Sequence, residues 1–131
     1  MGFVMAGCSL DKDTIVAACT PPFVSRIYNK GHIISAASIT NNSSLSLDIQ
    51  KWMDNNSSGW QTSYTTFAPS LEIRNNNMTL NFTDEFAVLN IKNPKTGEWN
   101  QFIKKVDISG IEFLKVIKTK AEPAAALYTS P

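Results

Sequence analysis

A nucleophile needs a base within reach and a third group to orient that base. The chain holds one histidine, His32, so any Ser–His or Cys–His arrangement has a single candidate base. His32 follows Asn29-Lys30-Gly31 and opens the run His-Ile-Ile-Ser-Ala-Ala-Ser-Ile. Asn and Gly tolerate positive φ, so the triplet reads as a turn and His32 as the first residue of a strand, not the wall of a cleft. Paired carboxylates suit glycoside hydrolysis. Asp48 and Asp54 fall on an expected helix, however, and Asp84 and Glu85 in an expected turn, where solvated side chains sit. The six glycines are scattered and form no phosphate-cradling loop. Cys8 and Cys19 have no second pair, and a single histidine cannot complete a zinc set. The expectation is a protein that uses no cofactor and no metal, and that binds instead of transforming a substrate.

The large rings are more informative. Trp52, Trp60, Tyr64, Phe67 and Trp99 are many for a chain of 131 residues, and most of them should fill a core. Trp60 follows the loop signal Asn55-Asn56-Ser57-Ser58-Gly59, and Trp99 follows Asn93-Pro94-Lys95-Thr96-Gly97. Rings beside loops are often partly exposed, and Trp and Tyr dominate binding hot spots. The expected partner-binding set is Asn55, Asn56, Ser57, Trp60 and Tyr64, with Lys95 and Trp99 as a second patch.

Those residues need a scaffold. Thr14 to Cys19 suits a short helical turn that Pro21-Pro22 must end. Phe23 to Tyr28 and His32 to Ile39 read as a hairpin. In Ser43 to Asn55, Leu45, Ile49, Trp52 and Met53 fall at i, i+4, i+7 and i+8, which gathers them on one helical face. Ser43 or Ser44 can cap that helix, and Asp48 lies early enough to favour its dipole. Trp60 to Phe67 favours strand, and Leu71 and Ile73 alternate with Glu72 and Arg74. Met78, Leu80 and Phe82 alternate with polar residues, the clearest half-buried strand of the chain. Phe86 to Ile91 is nearly all apolar and suits a central strand covered on both faces. Glu98 to Val106 returns, and Ile111 to Ile117 reads as a further strand, with a short helix as the other choice. The expected fold class is α+β: an antiparallel meander of about five or six strands with one helix packed on a face.

Bulk composition narrows the partners. Hydrophobic residues make up 43%, enough for a packed core. Twelve Lys and Arg against eleven Asp and Glu give a formal net charge of +1, not the basic excess of a nucleic-acid binder. No apolar run approaches the 18 or so residues of a membrane-crossing helix. The triplets Asn77-Met78-Thr79 and Asn81-Phe82-Thr83 match the glycosylation pattern, as chance allows in an Asn-rich chain.

Met5-Ala6-Gly7-Cys8 resembles the lipobox of bacterial lipoproteins, with small residues before a cysteine and a bulky apolar residue first. Met5 stands where leucine is usual. Gly2 to Gly7 then reads as the tail of an apolar leader, and Met1 as a start that falls inside it. The resemblance implies lipidation of Cys8 and a periplasmic domain moored to a membrane through that anchor alone. Residues 1–14 are then leader remnant and tether, 15–120 a single globular domain and 121–131 a flexible tail. Two other readings stand beside it: a Cys8–Cys19 disulfide, which also suits an oxidising compartment, and reduced thiols in a cytoplasmic protein.

In size, lipobox and plan the chain is similar to the periplasmic immunity proteins that bacteria keep against secreted toxins. That likeness implies a non-enzymatic mechanism in which loops occlude a toxin's active site, the partner being a protein and not a nucleic acid. The alternative is a structural or accessory lipoprotein of an envelope assembly. A hydrolase or a lipid-binding pocket is a third reading.

Overall fold

In the computed structural model, which describes residues 10–83 and 85–120, the alternating segments become one antiparallel sheet of seven strands. Strands β1 (Phe23–Asn29) and β2 (His32–Ile39) form the expected hairpin, with Lys30 and Gly31 at φ 51° and 82° in its turn. After a two-residue strand β3 (Gln61–Thr62) comes a meander: β4 (Leu71–Arg74), β5 (Met78–Phe82), β6 (Phe86–Lys92) and β7 (Trp99–Lys105). The order across the sheet is β2-β1-β4-β5-β6-β7-β3. Strand β6 lies between β5 and β7, and Ala87, Val88 and Leu89 in it are all buried, so both its faces are covered as the apolar run implies.

Among the described residues three α-helices, not one, accompany the sheet: α1 (Lys12–Ala18), α2 (Ser44–Asn55) and α3 (Glu112–Lys120). Helix α1 starts two residues before the expected turn because Asp11 caps it, its Oδ1 accepting from Thr14 N at 2.7 Å. That hydrogen bond holds the Asp11 carboxyl below its usual range. Asp11, Lys12 and Asp13, expected in a polar tether, are therefore cap and first turn, and Ile15 behind them is fully buried. Ile111 to Ile117, expected as a strand, instead leads into and forms much of α3. Ile111, Leu114 and Ile117 recur every three residues, which a helix turns to one side, and all three are buried with Phe113. Trp60 to Phe67 contributes only Gln61–Thr62 to the sheet, and this short edge strand with the separate β1–β2 hairpin brings the count to seven.

One core joins the helices to one face of the sheet. Ile15, Ile49 and Met53 pack in a cluster with Phe23, Ile73 and Leu80, among others. Trp52, Phe82 and Phe113 meet edge to face, with centroids 5.4 to 6.1 Å apart. Ser43 caps α2, its Oγ accepting from Ser46 N at 3.1 Å. Ser43→Ala leaves that amide without its partner, and the expected loss is about 1 kcal/mol, read as a lower urea midpoint with an unchanged slope.

Cys19 ends α1 as a buried free thiol; Cys8, its partner in the disulfide reading, lies outside the described residues. Burial pushes the Cys19 thiol up from 9.0 to about 12. The unfolded thiol ionises first, so the stabilisation from burying it neutral is whole below pH 9 and is lost as pH rises towards about 12. In native protein near neutral pH, Cys19 is expected to resist iodoacetamide. Urea should make it alkylate freely, as peptide mass spectrometry would read.

Candidate functional site

Strand register decides which side chains share a face. Ile73, Leu80, Leu89 and Phe102 are successive cross-strand neighbours on the helix side. The residues that alternate with them, including Arg26, Glu72, Asn81, Asn90 and Gln101, point to the opposite face. That face is not bare. Val88 belongs to it and lies outside the helix-side core, yet is only 1% exposed. The chain leaves β3 at one edge and must re-enter at β4, the third strand counted from the other edge. Residues 63–70 make this crossing as a strap. Gln101 Nε2 donates to Thr65 O at 2.6 Å, and Tyr28 N donates to Ser70 O at 2.8 Å, fixing the strap near both ends.

The strap brings Tyr64 to Trp99. Together with Phe67, Asn90 and Gln101 they line a cleft of about 340 Å³. Tyr64 is 92% exposed and Trp99 50%. Trp99 also borders a second cleft of about 560 Å³, walled by Arg26, Arg74, Asn75, Pro22 and Val24. Asn75 makes that wall firm. Its Nδ2 donates to Ala18 O and Thr20 O, both at 2.8 Å, while its Oδ1 accepts from Asn77 N and Met78 N at 2.7 and 2.9 Å. The β4–β5 turn is thereby tied to the end of α1. The two clefts share Trp99, so they adjoin on the strap side of the sheet, where Tyr64 and Trp99 are the exposed rings that line them.

Beneath the second cleft lies a buried carboxylate. Glu72 Oε1 sits 3.5 Å from Arg74 Nη1 and 3.9 Å from Arg26 Nη1. It accepts no hydrogen bond, and neither does the buried Asn81 Oδ1 of the neighbouring cross-strand residue. Asn81, part of a glycosylation triplet, thus turns its side-chain oxygen away from solvent.

The other expected contact residues are elsewhere. Trp60 is a correction: it is 8% exposed and belongs to the core. Its Nε1 donates to Asn56 O at 2.7 Å, which folds the ring back under the end of α2. Asn56 is likewise turned inward, its Nδ2 donating to Trp52 O at 2.9 Å. Lys104 donates to Ser58 O, and its Nζ lies 6.0 Å from the Trp60 ring centroid. Desolvation there lowers the Lys104 ammonium below its ordinary range. Asn55 is exposed and Ser57 partly buried, but this loop sits by Lys104, five residues along β7 from Trp99 and so roughly 17 Å of strand away. The two expected patches are therefore not one surface. Lys95 is exposed in the Asn93–Gly97 turn, beside a separate recess with Asp11 and Thr14.

Of the residues weighed for catalysis, His32 is exposed at the hairpin end, paired with Asn29. Asp54 is exposed and salt-bridged to Lys12 at 3.2 Å, and Asp48 and Glu85 are exposed as well. Asp84 lies outside the described residues. Sequence reasoning missed Arg26, Arg74 and Gln101. The alternation Leu71-Glu72-Ile73-Arg74 already put Glu72 and Arg74 on one face, but only the β1–β4 register adds Arg26 to them.

No helix among the described residues is long and apolar enough to cross a membrane. In comparisons with known proteins, the chain matches no family model, no curated sequence and no solved structure.

Proposed function

We propose that this domain is a non-enzymatic binding protein of the bacterial envelope, and that it occludes a partner protein with the strap side of its sheet. The observation that supports this reading best is the convergence of Tyr64 and Trp99. Two large rings, one almost wholly exposed, are held on a scaffold that fixes the strap beneath them through Gln101. Rigid aromatic anchors bind at low conformational cost, which is what a steric inhibitor needs. The lipobox likeness of Met5-Ala6-Gly7-Cys8 supports a periplasmic, lipid-moored location, and the likeness to immunity proteins points to a secreted antibacterial toxin as the partner. Cys8 itself lies outside the described residues.

The test is affinity capture from the secreted and envelope proteins of the parent organism, with wild type beside three variants. A protein retained by wild type and by Leu47→Ser, but lost from Tyr64→Ala and Trp99→Ala, supports the reading. Leu47 is a suitable control because it is an exposed residue of α2. A protein that all four retain equally, or that only Leu47→Ser loses, contradicts it.

A further inference from the structure

We infer that the larger cleft takes an acidic segment of the partner protein, its carboxylate set between Arg26 and Arg74 and an apolar neighbour laid against Trp99. This rests on the binding reading above and names the chemistry recognised on that same face.

The charge balance carries the inference. Arg26 and Arg74 are the only charged side chains among the described residues that wall the cleft. Both are directed to the one carboxylate of Glu72, whose side chain is 8% exposed. Their Nη1 atoms stop 3.9 and 3.5 Å from its Oε1, and no hydrogen bond forms on that oxygen. One buried negative charge thus faces two cations, and the guanidinium side chains remain 33% and 41% exposed. A net positive charge is left at the cleft wall, and each guanidinium keeps N–H donors beyond the Nη1 that faces Glu72. Planar guanidinium forks match carboxylate oxygens bidentately. Val24, 37% exposed, and Trp99, 50% exposed, supply apolar surface beside them. A ligand that satisfies both halves carries an Asp or Glu next to a bulky apolar residue. The chain's overall charge of +1 gives none of the extended field that a polyanion such as nucleic acid would exploit.

The probe is a short acetylated and amidated peptide of alternating Glu and Phe, titrated into the full chain and followed by tryptophan fluorescence and calorimetry. Its counterpart has Gln for every Glu, and vesicles with and without anionic phosphatidylglycerol form a third arm. The Glu peptide is expected to bind at least tenfold tighter than the Gln peptide. Arg26→Gln and Arg74→Gln should each weaken it by about tenfold, the scale of one charge-assisted contact. Removing a guanidinium also leaves Glu72 less well neutralised, so both substitutions are repeated together with Glu72→Gln, which removes the buried charge at nearly the same side-chain size, the fold of each variant being checked by circular dichroism. Equal affinity for the two peptides, no loss in the Arg variants of either background, or tighter binding to anionic vesicles than to the Glu peptide would overturn the inference. A captured protein that Trp99→Ala loses but Arg26→Gln and Arg74→Gln retain would sink this inference and leave the binding reading standing.

Discussion

Trp60→Ala is expected to lower the unfolding free energy by about 3–5 kcal/mol, the usual cost of emptying a large aromatic site in a core. The total stability of a domain is about 5–15 kcal/mol, so this single change approaches the margin. Two losses add. The ring leaves a void among residues of the core cluster, of which it is a member. The Asn56 carbonyl then loses the indole N–H that donates to it at 2.7 Å, at the point where α2 ends. Lys104 loses the ring beneath its ammonium as well. Trp60→Phe keeps most of the apolar area but not the donor, and should cost less. Urea unfolding followed by circular dichroism measures both. A loss below about 1 kcal/mol for Trp60→Ala would mean that the ring is not in the core.

The second large effect is on affinity. Once a partner is captured, Trp99→Ala is expected to weaken the complex by about 2 kcal/mol or more, roughly thirtyfold. Tyr64→Ala should act in the same direction. Neither should move the urea midpoint much, because the rings are 50% and 92% exposed and leave little void behind. This opposite signature, binding lost with stability kept, separates Trp99 from Trp60. Lengthened dissociation in the wild type, more than faster association, should account for the difference. A complex whose affinity is unchanged by both substitutions would remove the strap side from the interface.

That contrast between two tryptophans shows what the sequence could and could not reveal. Both follow loop signals, and their local contexts read alike. What divides them is tertiary. Trp60 is drawn inward because α2 ends with a carbonyl that its indole N–H can satisfy. Trp99 begins β7 opposite Lys92, on the face away from the helices. Period-two alternation made β5 legible, and the apolar spacing from Leu45 to Met53 made α2 legible with its Ser43 cap. Helix α3 is harder to read, since Ile111, Phe113 and the apolar residues after them satisfy both periods, and only the packing of Phe113 against Trp52 and Phe82 settles which holds. The strap was out of reach. Its residues look like a Thr-rich strand, and it becomes a crossing only because β3 pairs beyond β7 while β4 pairs with β1. The Arg26–Glu72–Arg74 group shares that fate, because two of its members are distant in sequence from the third and meet through register alone.

The most direct test places a photoreactive phenylalanine analogue at position 64 in the living parent organism, with the same analogue at position 47 on the exposed face of α2 as the comparison. A covalent adduct with one discrete protein from position 64, absent from position 47, is the predicted result. An adduct from position 47 with none from position 64 would show that partners approach by the helices, and the strap side would lose its role.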